Sequence, residues 1–591
     1  MSSLYADNTK QNLLKKLFPS WMFSYENDWF YGDFIAGIIV TIMLIPQSLA
    51  YALIAGLPPE VGLYASILPM VAYALFGSSM ALAVGPVAVL SLMTASAIAP
   101  LAISGTDLYV VLAIQLAFLS GLIYLIFGFL RFGFLAHLLS HPVISGFISG
   151  SAILISIGQL KNILGVNIAN SNVIVTIHAL WKAFPHSNIY TLTIGTGAMI
   201  FLFFAKKKLP LYLCRLGIKI KSADLICKLA PMLIVIVTTI LVWKLDLHTK
   251  GGVSIVGQVP SGIPDINYSL PAWEALRSLW LPALLISIVG FVESVSVGQS
   301  LAMKRQQRIN PNHELFALGA SNLASAFSGG YAVTGGFARS VVNYSAGANT
   351  PLAGVISAVL MTIVLVGFTD SFTYLPQAVL SATIIVAVLG LIDFSTLKET
   401  WQFDKADSAA LIFTCLGVIA LGVEQGILIG VVFSLGAYLW RASHPHIAIV
   451  GRIPGTEHFR NVERHQVEID PKVLAVRVDE SLFFGNAQAF EDIIYAQIAK
   501  NSELTEVLLI MSAVNRIDAT ALIVLRDMNR SLGISDKKLH LAEVKGPVLD
   551  SLKETEFFKT LTGKYFLSTH QAYNELTTEL TRVIYNKWYI K

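Results

Sequence analysis

The stretch GGYAVTGGFARSVVNYSAGANTP, Gly329 to Pro351, holds five glycines and a single arginine, Arg339, between runs that read as membrane helices. Irregular backbone at membrane depth is tolerated only where it is buried in protein or lines a wet cavity. A break at Gly335-Gly336 leaves the helix that begins at Phe337 with unpaired N–H groups, which carry about half a positive charge. Arg339 stands in the first turn of that helix. An arginine at mid-membrane costs about 2.5–3.5 kcal/mol on insertion scales, and a bound anion offsets that cost. The stretch reads as one wall of an anion site. The bland alternative is a structural ion pair, with Glu293 as the partner.

A second break matches the first. Aligning Gly85-Pro86-Val87-Ala88-Val89-Leu90 with Gly335-Gly336-Phe337-Ala338-Arg339-Ser340 sets Ala83-Val84 over Val333-Thr334. Each copy then reads as a helix, a short extended run, a Gly-rich break and a helix too short to span. Pro86 suits a first helical turn. Short, interrupted segments at matching places in two inverted halves mark the substrate site of a transporter.

Composition sets the frame. Charged residues make up 13% of the 591 positions and hydrophobic ones 55%, whereas soluble domains carry about 25% charged residues. From Asp33 to Asp107 the only charge between is Glu60, and the tail after about Gln466 is rich in Lys, Arg, Asp and Glu. A membrane part followed by a soluble one is expected. The net charge of +4 is not clustered as a nucleic-acid surface requires. Three cysteines, Cys214, Cys227 and Cys415, lack ligand-like spacing. The N-terminus has no signal-peptide pattern, and Walker A, HExxH and G-x-S-x-G motifs are absent, so no enzyme, metal site or nucleic-acid partner is expected.

Full-length membrane runs lie at 33–56, 107–130, 143–160, 188–205, 229–245, 279–300, 351–369 and 406–422. Shorter or interrupted runs lie at 61–77, 86–101, 314–328, 337–348, 376–392 and 424–440, which predicts about fourteen segments. The loop Ala205–Lys228 holds seven Lys/Arg, Lys304, Arg305 and Arg308 follow the eighth segment, and Lys398 and Lys405 follow the twelfth. All follow even-numbered segments, so the positive-inside rule expects both termini in the cytoplasm, at the plasma or inner membrane. Seven segments separate the two breaks, an odd number, so the second half inserts upside down. The expected boundaries are a cytoplasmic segment 1–30, a transport part 31–442 with repeats of about 31–247 and 279–442, a linker 443–465, and a domain 466–591. In that last domain KVLAVRV, EVLLIMSAV and KKLHLAEV alternate with helix-like runs, which indicates a small α/β fold. The stretch 444–464 reads as linker and lead-in strand.

Glu293, in LISIVGFVESVSVGQSLA, is the one acid inside the eighth segment. An acid within a membrane helix needs a proton or a partner, which makes Glu293 a natural proton carrier or a compensator of Arg339. Gln47 precedes the first break by 38 residues and Glu293 precedes the second by 42, so the two occupy similar places in the repeats. Tyr51 follows Gln47 by one turn on the same helical face.

These motifs carry a resemblance. IPQSLAYALIAGLPPEVGLYAS, GPVAVLSL, FVESVSVGQSLA, GGFARSVVN and GANTPLAG resemble the SulP family of anion transporters, and the tail resembles a STAS domain. The resemblance implies seven-plus-seven inverted repeats divided into core and gate domains, in a homodimer set in membrane lipid. It implies that Gln47, Tyr51, Val87, Ala88, Ala338, Arg339 and Ser340 line the anion site. Proton-coupled sulfate carriers of the family have an acid where Glu293 stands, and the bicarbonate branch uses an acid nearby for sodium. The coupling ion is therefore expected to be H+, with Na+ as the alternative, and no other cofactor is expected. In antagonist domains a phosphorylatable Ser follows Asp. Here the run is Asp518-Ala519-Thr520-Ala521, so only Thr520 could serve as a regulatory site, with a cytoplasmic protein as partner. Proton-coupled sulfate uptake by alternating access is the expected function. A bicarbonate or C4-dicarboxylate carrier and an uncoupled anion channel or exchanger are the alternatives. Nucleobase carriers resemble the fold too, but typically place an acid where this chain has Arg339.

Overall fold

The computed structural model describes residues 20–137, 140–168, 173–217, 223, 226–227, 229–262, 273–577 and 583–585. The sequon Asn267-Tyr268-Ser269 and residues 218–222, 224–225 and 228 of the basic loop lie outside them. The chain divides into two compact units, Met1–Ser434 and Leu435–Lys591.

The first unit is helical. Its first half contains α1 (Asn27–Ile54), α2 (Leu68–Phe76), β1 (Val84–Gly85), α3 (Ala88–Ile98), α4 (Asp107–Phe129), α5 (His141–Leu164), α6 (Ile189–Lys207) and α7 (Ala230–Leu245). Its second half contains α8 (Trp273–Lys304), α9 (Pro311–Phe327), β2 (Thr334–Gly335), α10 (Phe337–Ser345), α11 (Leu352–Gly367), α12 (Gln377–Leu389) and α13 (Lys405–Leu421), and α14 (Val423–Ser443) runs on into the second unit. Among the described residues, eight helical stretches are long and apolar enough to cross a membrane. The run 61–77, expected among the shorter or interrupted segments, forms two helices, Pro59–Tyr64 and Leu68–Phe76. Pro69 opens the second, because proline suits a first turn and has no N–H to continue the turn before it.

The two short helices after the Gly-rich breaks are α3 and α10, eleven and nine residues long. Before them, β1 and β2 pair antiparallel, Val84 with Gly335 and Gly85 with Thr334. The sequence alignment makes Val84 equivalent to Thr334 and Gly85 to Gly335. A two-fold axis through the strand pair exchanges those equivalents and maps each pair onto the other. The pairing register is therefore the one that inverted halves meeting at their breaks would produce.

Two apolar cores flank this crossing. One gathers Leu90 and Met93 of α3, Leu116 of α4, Ile286 and Val295 of α8 and Leu318 of α9. The other gathers Ile155 of α5, Ala198 of α6, Val242 of α7 and Ile385 of α12, with Leu49 of α1 and Met361 of α11. Val87 packs in the first and Ala88 in the second, so the start of α3 lies where the two cores meet.

The second unit carries a sheet in the order β10-β5-β3-β6-β7-β8-β9. Its strands are β3 (Ile447–Arg452), β4 (Phe459–Asn461, paired to β3), β5 (Val467–Ile469), β6 (Val473–Val478), β7 (Glu506–Ile510), β8 (Lys538–Ala542), β9 (Tyr565–Phe566) and β10 (Val583–Tyr585). Strands β6 to β9 are parallel, and α15 (Ala487–Lys500) and α16 (Ala519–Ile534) pack their apolar faces on them. Residues 443–465, read as linker and lead-in strand, supply both β3 and β4, and β3 lies inside the sheet between β5 and β6.

Candidate anion site

The backbone at both breaks leaves donors free. Val87 caps α3 and Gly336 caps α10, and neither helix has a side-chain cap. Pro86 stands one residue before the cap rather than in the first turn. Ser91 N bonds Val87 O and Ser340 N bonds Gly336 O, each at 3.0 Å. Ahead of them the amides of Ala88, Val89 and Leu90, and of Phe337, Ala338 and Arg339, have no acceptor among the described residues. Such amides, aligned along a helix, attract negative charge.

Arg339 joins the two ends. It is 2% exposed, yet neither Nη1 nor Nη2 has a hydrogen-bond partner. Its guanidinium lies over two glycines. A Cβ at Gly85 would fall 2.8 Å from Nη1, and one at Gly336 would fall 3.0 Å from Nη2 and 3.1 Å from Val87 Cγ1. Gly85 also adopts φ +156°, which L side chains rarely take. The glycines are needed because the arginine and both half-helix ends crowd one spot. A buried, charged and unpaired guanidinium is costly unless something supplies the missing acceptors.

The other expected residues divide. Tyr51 is half-buried on α1 and shares an electrostatic neighbourhood with Arg339 and Glu293. Gln47, half-buried, lies one turn earlier. Val87 and Ala88 are buried at the start of α3, and Ala338 is exposed at the start of α10. Ser340 is different. Its hydroxyl accepts from Ala83 N at 3.0 Å and donates to Gly336 O at 2.7 Å, and its amide is bonded too. It holds the crossing together and its hydroxyl and amide are already occupied.

Glu293 lies within electrostatic reach of Arg339 and Tyr51 without a hydrogen bond to either terminal nitrogen of Arg339. It lines a cavity with about 20 Å³ of water-accessible space, on the order of a single water. The rest of the lining is Val143, Ile144, Phe147 and Ile148 of α5, Val289 and Val292 of α8, and Ile427 of α14. The structural ion pair with Arg339 is not formed, since both terminal nitrogens of Arg339 are unpartnered.

Sequence reasoning missed Tyr331. It is fully buried, its hydroxyl lies 2.8 Å from Ser91 Oγ, and it adds to the charge environment of Arg339. An aromatic set beside Gly329-Gly330 was the available signal. Thr520 is exposed as the second residue of α16, after Asp518, whose Oδ1 accepts from Ala521 N at 2.8 Å.

Comparisons with known proteins agree with this architecture. A model described as the sulfate permease family matches residues 30–414, and a STAS domain model matches 464–572. The chain is 34% identical to sulfate transporter 4.1, chloroplastic, of Arabidopsis thaliana, over 92% of this chain and 81% of the relative. It is 33% identical to high affinity sulfate transporter 2 of Stylosanthes hamata, over 95% and 86%. The fold superposes on the murine Slc26a9 anion transporter in its inward-facing state with a TM-score of 0.86, at 23% identity, over 96% of this chain and 97% of that one. On these matches, the chain belongs to the sulfate permease family and carries a STAS domain after its membrane part.

Proposed function

We propose that this membrane protein is a secondary active carrier that takes up sulfate together with protons by alternating access. The observation that carries the anion is Arg339, buried without a partner beside two uncapped half-helix ends. A doubly charged oxyanion presents acceptors on all sides and suits donors converging from two helix ends and a planar guanidinium. The names of the relatives support sulfate as the substrate. In this reading Gln47 and Tyr51 line the site from α1, and Val87, Ala88 and Ala338 line it from the starts of the two half-helices.

Glu293 carries the proton in this reading. Its surroundings on α5 and α14 are apolar, and an ionised carboxylate cannot slide along such a wall without losing its hydration. The neutral acid can. Motion of the α8 side against the α5 side is therefore open when Glu293 holds a proton. The basic loops support cytoplasmic termini.

The test is uptake into proteoliposomes. Labelled sulfate is expected to accumulate above its equilibrium level when the outside is made acidic, and to equilibrate only when no pH gradient is imposed. Labelled bicarbonate and succinate run in parallel. Accumulation of either in place of sulfate sinks the sulfate assignment, and accumulation driven by sodium alone sinks the proton.

A further inference from the structure

A symporter needs its proton site and its anion site to respond to one another, and here no hydrogen bond joins Glu293 to the guanidinium of Arg339 directly. The positions around Glu293 on α8 are instead tied to β2, the strand that leads into α10. Thr334 Oγ1 donates to Gly290 O at 2.6 Å, one turn before Glu293. Ser294, the residue after Glu293, has its Oγ 2.6 Å from Thr334 Oγ1, and Gly335 N donates to Ser294 Oγ at 2.8 Å. Thr334 spends its single hydroxyl proton on Gly290 O, so Ser294 must donate to Thr334. The chain therefore runs one way, from Gly335 N through Ser294 and Thr334 to Gly290 O. Ser294 and Thr334 are both fully buried. Water cannot replace a lost member of such a chain, so it yields only at the cost of an orphaned donor or acceptor.

The same strand reaches the anion site within a few residues. Gly336 N bonds Ala83 O at 3.2 Å across the crossing, Gly336 caps α10, and Arg339 packs over Gly336 and Gly85. A shift of the α8 backbone around Glu293 is thus carried by hydrogen bonds as far as Gly335 and Gly336, and from Gly336 to the guanidinium by packing contact. Two turns earlier on α8, Ser287 Oγ donates to Ala283 O at 2.7 Å and lies 3.3 Å from Ser120 O of α4, so this second tether of α8 bonds neither strand.

We propose that Ser294 and Thr334 are positioning residues that couple proton occupancy at Glu293 to anion occupancy at Arg339, through the hydroxyl chain joining α8 to β2. The inference rests on the reading of Glu293 as the proton carrier and adds the route by which that proton is felt. The hydrogen bonds of both hydroxyls go to each other, to Gly290 O and to Gly335 N, not to the guanidinium of Arg339 or the carboxyl of Glu293. Their removal is expected to leave both sites chemically intact and to weaken the conversation between them.

The experiment is binding of labelled sulfate to the purified full-length protein across a pH series. Coupling of two sites typically changes an affinity by about 5- to 150-fold, and the unmodified protein is expected to bind sulfate more tightly in acid by a factor in that range. Thr334→Val keeps the shape and removes the hydroxyl. It is expected to shrink that acid-to-alkaline ratio by about fivefold or more while leaving the acid-side affinity near that of the unmodified protein. Thr334→Ser, which restores the hydroxyl, is expected to restore the ratio. Ser294→Ala serves as the second variant, with the same expectation, and decides the matter if Thr334→Val does not fold. An unchanged ratio in the folded variants overturns the link, as does an equal loss of affinity at every pH, which marks a merely structural role. Glu293→Gln run alongside separates the two readings. If Glu293→Gln keeps the full pH response, the proton-carrier reading fails and the link with it. If Glu293→Gln is flat but Thr334→Val and Ser294→Ala respond as the unmodified protein does, the link alone fails.

Discussion

At the scale of single residues, Arg339 decides more than any other. It is the buried cation to which no described group supplies an acceptor at either Nη, and it packs where α3 and α10 begin. A hydrogen bond to a charged group contributes about 1.5–3 kcal/mol, and tenfold in affinity corresponds to about 1.4 kcal/mol. Arg339→Gln is therefore expected to weaken sulfate binding roughly 10- to 100-fold, and chloride binding less, because the Coulomb contribution scales with ligand charge. Arg339→Lys keeps the charge but loses the planar fork, so partial recovery is expected. Calorimetric titration of the three proteins with sulfate and with chloride checks both statements. Equal sulfate affinity in all three makes Arg339 a structural residue. Ser340 teaches the opposite lesson. Position in a motif pointed to the ligand, yet its hydroxyl closes the strand crossing on Ala83 and Gly336.

At the scale of elements, the half-helices were legible because glycine and proline announce broken backbone, and because the two breaks share a local pattern. The main-chain donors of the proposed anion site follow from that alone. What was not legible came from partners distant in sequence. Tyr331 meets Ser91, and Thr334 meets Gly290 and Ser294, only once the strands cross. The apolar wall facing Glu293 comes from α5 and α14, which no local pattern connects to α8. The tail shows the same limit. The stretch before Gln466, read as linker and lead-in strand, supplies a strand inside the sheet rather than at its margin, where β3 pairs Ile447 with Val478 and Ile449 with Val476. A fragment 466–591 would lack β3 and expose the edge of β6, whose unpaired N–H and C=O groups invite association. A fragment 444–591 is expected to be soluble with one cooperative melt, and 466–591 to aggregate or melt at clearly lower temperature. A stable, monomeric 466–591 would show that β3 is dispensable to the fold.

At the scale of the whole molecule, the question is what makes two fluxes into one. The proposed anion site lies where the start of α3 passes from one apolar core to the other. Glu293 lies on α8 of the first core and faces Phe147 and Ile148 of α5, which pack in that same core, while Ile155 further along α5 packs in the second. Because α5 takes part in both cores, their relative motion would reach the wall facing Glu293 as well as the half-helix ends. A channel reading has no use for the acid, which repels the anions it would conduct. In the carrier reading, protonation removes one negative charge from the neighbourhood of the anion, so sulfate binds more tightly in acid, and linkage requires sulfate to favour the proton by the same factor. Glu293→Gln imitates the protonated state permanently. It is expected to bind sulfate with an affinity nearly independent of pH and to exchange labelled sulfate across the membrane, because the neutral side chain passes the apolar wall on every cycle. It is also expected to lose the ability to concentrate sulfate when a pH gradient is imposed, because no proton now enters or leaves with the anion. The measurement is the time course of labelled sulfate in proteoliposomes, with and without the gradient, for the unmodified protein and the variant. If Glu293→Gln still concentrates sulfate as the unmodified protein does, the driving ion enters elsewhere. Glu293 is then only a charge that tempers Arg339.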